Sequence, residues 1–331
     1  MKSANKAFAA PKSAIVRSGF SRALNEYRSE IGVGIGLVLF MIIMSFASPY
    51  FLTSTNLINV LSQVAIIGVL AIGQTYVILT GGIDLSVGAV FACAAMYMGM
   101  VMETQGIGAG IAVALLIGLM AGLVNGVLVG YVKLAPFIVT LGMMSIARSQ
   151  AYISTDGTAV TKLPPAFALL GDGRLFGVPY YIYVTVALFI IGAAVLTGTK
   201  LGRYLYAIGS NEQATRLSGV NVSLYKTMAY VISGLMAAIA AIIQTSRLMA
   251  VDPTFGNGYE LDTIAAVVIG GTSLMGGSGT LIGTAIGVLL IGFLRNGLNL
   301  IGVSPFWQGT AIGTVIILAL VIERFTRRDR G

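Results

Sequence analysis

The chain has 331 residues, of which 56% are hydrophobic and only 10% are charged, and its formal net charge is +8. Since soluble domains carry about 25% charged residues, most of this surface must face something other than water. Histidine is absent and Cys93 is the single cysteine, which excludes histidine metal sites, Ser-His-Asp and Cys-His nucleophile arrangements, and intrachain disulfides. We expect Cys93 to be buried, and we expect no metal or cofactor.

The first apolar run, Ile31–Ala47, follows a polar and basic lead at 1–30. The lead is long and the apolar run reaches spanning length, so the sequence predicts an uncleaved first helix rather than a signal peptide. We expect 1–30 and 324–331 to be cytoplasmic tails and 31–323 to form one transmembrane domain.

The apolar runs predict an all-α integral membrane protein with about ten transmembrane helices. The candidate spans are 31–47, 57–79, 85–102, 107–131, 134–153, 180–198, 225–245, 261–275, 280–302 and 307–322. A span needs about 20 residues, so 85–102 and 261–275 are short. Either is a candidate for a broken or re-entrant segment, and the helix count lies between about nine and eleven.

The basic residues indicate the orientation of these spans. With a cytoplasmic N-terminus, the inside segments hold most of the cations, and the outside segments hold only Lys162, Arg174 and Arg247, with Arg148 near an outer end. This distribution follows the positive-inside rule and places both termini in the cytoplasm. No basic groove interleaved with aromatic residues is present, so the charge favours a lipid bilayer over nucleic acid as partner.

Two sets of glycines recur at every fourth position. One is Gly118, Gly122, Gly126 and Gly130, and the other is Gly279, Gly283 and Gly287. Glycine at this spacing leaves one helix face bare, so that a second helix can approach closely. We predict helix packing at both stripes.

The segment Thr80–Gly88 interrupts an apolar stretch with a glycine pair and the carboxylate of Asp84. A charged side chain at membrane depth is costly unless it faces water or a partner. Asp84 is predicted either to cap the next helix by accepting from the N–H of Val87, or to line a transport pathway, and the two roles are compatible.

A second glycine-rich break, Gly270–Gly277, matches the first when Gly81 is aligned with Gly270 and Gly82 with Gly271. Interrupted segments at corresponding positions of two halves indicate a transport pathway. The match is short, and it predicts an internal repeat.

The predicted cytoplasmic loop 199–224 contains signals for a short helix of its own. Ser210 and Gln213 have the spacing of a capping box, Glu212 and Arg216 form an i,i+4 pair, and Gly219 lies where a helix stops. Ala214 and Leu217 give this helix a small apolar face. The pattern is typical of an interfacial linker helix or of a docking helix for a cytoplasmic partner.

Arg148 and Arg295 fall inside apolar runs. Charges in such positions are candidates for a functional role, but each can also extend along the bilayer to the outer interface. The sequence leaves both interpretations open.

Four segments, in order along the chain, resemble monosaccharide permeases of the ABC importers, the ribose and galactose type. They are 77–88 (VILTGGIDLSVG), 201–219, 258–274 (GYELDTIAAVVIGGTSL) and 292–300 (GFLRNGLNL), and the resemblance covers roughly 35–322. It implies a type II ABC importer-like bundle in the bacterial inner membrane, partnered by a second permease copy (a homodimer or a pseudo-symmetric pair), two cytoplasmic ATPase subunits and a periplasmic sugar-binding protein.

The resemblance also assigns roles to individual residues. It implies an ATPase-coupling helix that contains Ser210, Asn211, Glu212, Ala214, Arg216, Leu217 and Gly219. The translocation pathway would be walled by helices around Thr80, Asp84, Ser86, Asn125, Thr272 and Ser273.

No G-x-x-x-x-G-K-[ST] phosphate loop is present in the sequence, so ATP hydrolysis would require a separate subunit. One alternative is an ion-driven secondary transporter that uses Asp84, Glu260 or Asp262 as proton or sodium sites. A branched-chain amino-acid ABC permease is a second alternative. An intramembrane enzyme is disfavoured, because no nucleophile–base pair is evident.

Overall fold

The structure, a computed structural model, describes residues 28–304 together with Trp307, Gly309, Thr310, Gly313 and Thr314. Almost all of the predicted N-terminal tail, most of the last apolar run at 307–322, and the tail at 324–331 lie outside the described residues.

The regular secondary structure of the described residues is helical apart from one small hairpin. The first five helices are α1 (Arg28–Ala47), α2 (Ser54–Leu79), α3 (Val87–Gln105), α4 (Ile107–Gly130) and α5 (Pro136–Ile153). A connection follows with a 3₁₀ turn (Pro165–Ala168), α6 (Leu169–Asp172) and the antiparallel strands β1 (Arg174–Leu175) and β2 (Val178–Pro179). The remaining helices are α7 (Tyr180–Gly198), α8 (Lys200–Ser210), α9 (Glu212–Leu217), α10 (Val222–Leu248), α11 (Tyr259–Ile269) and α12 (Leu281–Leu300).

Local signals begin and end these helices. The Thr53 hydroxyl accepts from the N–H of Asn56 at the start of α2, and the Thr280 hydroxyl accepts from the N–H of Gly283 at the start of α12. Pro136 begins α5, where its missing N–H is not needed. Gly106, with φ of 87°, separates α3 from α4.

Among the described residues, seven helices are long and apolar enough to cross a membrane: α1, α2, α3, α4, α7, α10 and α12. The chain is therefore an all-α membrane protein that crosses the bilayer several times, but the predicted count of about ten is not confirmed. The helix α5 has 18 residues and is more polar than the others because it carries Arg148, Ser149 and Gln150. The helix α11 has only 11 residues and spans about 16 Å.

The two short candidate runs behave differently. The run 85–102 becomes α3, an unbroken helix of 19 residues that is long enough to span. The run 261–275 is broken, because α11 ends at Ile269 and residues 270–280 are not helical.

The core forms where α10 packs against α2, α3 and α4. Cys93 is buried in this core, as expected. The glycine stripe of α4 faces α10, and a Cβ at Gly118, Gly122 or Gly126 would collide with the backbone of α10. Gly283 and Gly287 of α12 contact Gly270 and Ala266 in the same way, so the predicted packing is confirmed. Gly279 is an exception, since it precedes α12 and has φ of 144°.

Candidate functional site

The two glycine-rich breaks end their helices with the same backbone geometry. In the first, Gly81 has φ of 76°, and the N–H groups of Gly81 and Gly82 donate to the carbonyls of Ile78 (2.8 Å) and Val77 (3.3 Å). This is the hydrogen-bond pattern of a Schellman motif.

In the second break Gly271 has φ of 93°, and the N–H groups of Gly271 and Thr272 donate to the carbonyls of Val268 (2.9 Å) and Val267 (3.1 Å). Gly81 is therefore equivalent to Gly271, one position away from the alignment that the sequence suggests. The correct alignment of the two breaks depends on which residue adopts positive φ. Because glycine adopts positive φ readily, the sequence of a glycine pair does not show which of its two members does so.

The breaks meet each other and the end of α8. The N–H of Gly277 donates to the carbonyl of Leu79 at 3.0 Å. A Cβ at Gly209 in α8 would collide with both of these backbone groups, and a Cβ at Gly277 would collide with Ser210. The hydroxyl of Tyr206 donates to the carbonyl of Gly279 at 2.7 Å. We call this contact of Leu79, Gly209, Ser210 and Gly277 the junction.

Asp84 follows the first break in the chain and lies in a buried polar network. Its Oδ1 accepts from the N–H (2.9 Å) and the hydroxyl (2.6 Å) of Ser86, and its Oδ2 accepts from the hydroxyl of Ser233 (2.8 Å). The amide of Asn125 donates to the Ser86 hydroxyl at 3.0 Å. The network links the break to α4 and α10. Asp84 does not cap α3 through Val87, because its carboxylate bonds Ser86 instead, and Ser233 could not be found from sequence spacing.

The other predicted pathway residues are also buried. The Thr80 hydroxyl donates to the carbonyl of Val77, and Ser273 Oγ accepts from the N–H of Met275 at 3.2 Å. The Thr272 hydroxyl has no partner among the described residues. All six predicted pathway residues thus lie inside the single chain and surround the breaks, and a role in passage stays a prediction.

The helix α9 is present where the loop signals place a short helix, but its cap is one residue later than predicted. Asn211 has extended backbone and its Oδ1 accepts from the N–H of Ala214 at 2.9 Å. Ser210 is still helical and ends α8, where its hydroxyl bonds the carbonyl of Tyr206. A cap needs non-helical φ and ψ, which only Asn211 has here. Gly219, with φ of 83°, follows the helix end as predicted.

Glu212 attaches α9 to the bundle. It pairs with Arg216 at 2.7 Å, as the i,i+4 spacing predicts, and also with Lys226 of α10 at 2.6 Å. The pKa of Glu212 is lowered from its ordinary value of 4.5, chiefly by the hydrogen bond from Lys226, while partial burial acts in the opposite direction. On the outer side of α9, Leu217 is 83% exposed beside the exposed Ala214.

Arg148 and Arg295 both have partners within the chain. Arg295 of α12 pairs with Asp262 of α11 at 2.6 Å. The guanidinium of Arg148 donates to the backbone carbonyls of Pro253 (2.9 Å) and Phe255 (2.8 Å). Asp262 is therefore already neutralised by a fixed cation, which disfavours it as an ion-coupling site.

Comparison with known proteins identifies the family. A family model described as "Branched-chain amino acid transport system / permease component" matches residues 56–320 of the chain. The chain belongs to this permease family.

Several relatives of the permease are similar over nearly their whole length. The ribose import permease protein RbsC of Bacillus subtilis (strain 168) is 47% identical over 298 residues, which are 89% of this chain and 92% of that protein. RbsC of Escherichia coli (strain K12) is 44% identical over a region that covers 87% of this chain and 92% of that protein. The L-arabinose transport system permease protein AraH of Escherichia coli (strain K12) is 37% identical over a region that covers 97% of this chain and 96% of that protein.

In the permease, then, the two breaks and the helices α8 and α9 are connected at the junction. The two breaks, the end of α8 and the exposed helix α9 form a continuous set of backbone contacts and hydrogen bonds. Such an arrangement can transmit a displacement of α9 to both breaks at once.

Proposed function

We propose that this permease is the membrane-spanning subunit of an ATP-driven importer of a monosaccharide, in the inner membrane of a bacterium. The observation that carries the proposal is the junction, where the end of α8, directly before the exposed helix α9, contacts the two broken segments. An importer whose ATPase is a separate subunit requires this kind of connection.

The relatives support the choice of substrate class. The family description names branched-chain amino acids, whereas RbsC and AraH, similar over most of the chain, are named for ribose and L-arabinose. Similarity that extends through both breaks and α9 favours a monosaccharide, and the individual sugar would be selected mainly by a periplasmic binding protein.

The proposed contact with the ATPase is the outer face of α9, a coupling helix that comprises Ser210–Gly219. Leu217 and Ala214 are exposed and provide an apolar anchor, while the ion pairs of Glu212 with Arg216 and Lys226 hold the helix against α10. A buried apolar anchor surrounded by polar residues is a common design at protein interfaces.

The proposed assembly is a homodimer of permeases in a type II importer-like bundle, with two ATPase subunits at α9 and a binding protein on the opposite side. We place both termini and the segment 199–224 in the cytoplasm, because Lys200, Arg203 and Arg216 lie in this segment and Lys226 directly follows it. The domain division stays as proposed, with 31–323 as the transmembrane domain between two cytoplasmic tails.

The proposed mechanism is alternating access. A loaded binding protein docks, ATP binding and hydrolysis move α9, and the junction passes this motion to both breaks. Within this mechanism Asp84, Ser86 and Asn125, together with Thr80, Thr272 and Ser273, shape the broken segments that border the translocation pathway.

The test is uptake of D-ribose and L-arabinose by proteoliposomes that contain the permease with or without its ATPase subunits, with binding protein outside and ATP inside. We expect uptake of at least one sugar only when the ATPase is present. Uptake by the permease alone, driven by a proton or sodium gradient, would contradict the proposal.

A further inference from the structure

The non-helical segment that precedes α11 enters the depth of the bundle. Val251 is held by two backbone hydrogen bonds to Val160, both 2.9 Å long, and lies against Gly99 of α3. Gly256 lies against Gly88, eleven residues earlier in α3. At 1.5 Å per residue these two contacts are about 16 Å apart along the helix.

Other contacts show how deep this segment goes. Gly88 follows closely after Asp84 and Ser86, and Asp84 bonds Ser233, which is near the middle of the 27-residue helix α10. Irregular backbone at such depth is tolerated only where it is buried in protein or lines a water-filled cavity.

This segment borders an open cleft of about 450 Å³ between α5 and α11. We call this space the α5 cleft. Six of its lining residues are polar: Ser145, Arg148, Ser149, Tyr152, Asn257 and Glu260. Its volume lies within the range of about 300–1,000 Å³ that is typical of small-molecule sites.

The polar side of α5 is a continuous stripe. Ser145, Ser149 and Tyr152 follow the i, i+4, i+7 spacing of one helix face, and all three are exposed. The Ser145 hydroxyl donates to the carbonyl of Leu141 at 3.2 Å, but contact with lipid would leave the hydroxyls of Ser149 and Tyr152, which no described residue bonds, without partners. The stripe therefore favours contact with water or with a polar solute.

Glu260 differs from the two buried aspartates, Asp84 and Asp262. Asp84 accepts from two serines and Asp262 pairs with Arg295, whereas no described residue donates a hydrogen bond to the Glu260 side chain. Its carboxylate lies against Gly88, where a Cβ would be 2.6 Å from Oε2. Arg148, fixed by the carbonyls of Pro253 and Phe255, interacts with it electrostatically.

We infer that the α5 cleft is the solute-contacting site of this permease, and that it accepts a neutral, polyhydroxylated molecule. Glu260 accepts hydrogen bonds from sugar hydroxyls, while Asn257 and Arg148 donate to their oxygens, since each hydroxyl is both donor and acceptor. The ring of Tyr152 offers an apolar surface to the C–H face of the sugar. The inference rests on the proposed function and places the contacts with the solute in α5 and α11.

The test uses the complete transporter, with ATPase and binding protein, in proteoliposomes. In a Cys93→Ala background, Ser149→Cys places a thiol in the cleft, and Ile146→Cys places one on another, 60% exposed face of the same helix. After reaction with a small membrane-impermeant thiol reagent, we expect D-ribose uptake to fall by about tenfold for Ser149→Cys. We expect the labelled Ile146→Cys variant to retain its uptake.

A second variant tests the carboxylate. Glu260→Gln is expected to lower D-ribose uptake about tenfold, as for one lost charge-assisted hydrogen bond, with ATPase activity unchanged. The matched control is Glu103→Gln, the same change at an exposed residue near the end of α3. If the parent transporter takes up D-ribose and both cleft variants match it, the α5 cleft is not the site. If the parent takes up neither D-ribose nor L-arabinose, the proposed function fails and the inference fails with it.

Discussion

Leu79 and Gly277 are joined by a backbone hydrogen bond of 3.0 Å, although one ends α2 and the other lies between α11 and α12. The bond connects the two breaks, and Gly209 of α8 packs against both the carbonyl of Leu79 and the N–H of Gly277. The backbone contact leaves no room for a side chain, so the junction is sensitive to the smallest substitutions.

The first prediction concerns Gly209. Gly209→Val introduces atoms that collide with the carbonyl of Leu79 and the N–H of Gly277. Overpacking of this kind costs about 1–3 kcal/mol of stability, and we expect ATP-driven uptake to be lost. The matched control is Gly198→Val at the end of α7, where a Cβ would meet no atom within 4 Å. Equal uptake by the two variants would show that the junction is not required.

The second prediction concerns Asp84. Asp84→Leu leaves the Ser233 hydroxyl and the N–H of Ser86 without their acceptor, at a cost of about 1–3 kcal/mol for each unsatisfied group. We expect transport to be abolished, and Asp84→Asn to retain more stability because the amide oxygen still accepts. Uptake assays and thermal unfolding of the purified variants measure both effects, and a fully active Asp84→Leu variant would refute the proposed role.

The third prediction concerns pH and Glu212. Because the pKa of Glu212 is lower in the folded protein, its ion pairs stabilise α9 fully above the ordinary value of 4.5. That contribution is lost as the pH falls from 4.5 through the lowered pKa, and it is modest because the side chain is 42% exposed.

Amide hydrogen exchange of residues 212–217, compared between the parent and Glu212→Gln at each pH, measures this contribution. We expect slower exchange in the parent at neutral pH and no difference at pH values well below 4.5. A difference that persists unchanged into strong acid would exclude the ion pairs as its cause.

The fourth prediction concerns the outer face of α9. Leu217→Asp removes the exposed apolar anchor, and Arg216→Glu reverses a charge beside it. We expect both to reduce co-purification of the ATPase subunits by about tenfold or more, as for the loss of one interface hot spot. Leu169→Asp, which is 68% exposed in the connection between α5 and α7, is the control and is expected to bind normally. Normal ATPase recovery with Leu217→Asp would place the docking site elsewhere.

The sequence predicts well those features that depend on neighbours a few residues away. The glycine stripe of α4 and the pair of Glu212 with Arg216 follow from helical spacing and are confirmed. Caps are less certain, because Ser210 and Asn211 are both good capping residues and only the backbone angles select Asn211.

Contacts between distant parts of the chain leave no comparable signal. Nothing in the sequence links Asp84 with Ser233, Glu212 with Lys226 or Arg148 with the carbonyls of Pro253 and Phe255, since each contact exists only after the helices pack. The run 261–275 is one of two candidates for a broken segment, and only the structure shows that it is the broken one and that α11 ends at Ile269.

The close backbone packing around Gly209 has a mechanical consequence. Main chain touches main chain there, and no flexible side chain lies between Gly209 and the backbone of Leu79 and Gly277. A shift of this end of α8 would therefore act on both turns together, without being damped by an intervening side chain.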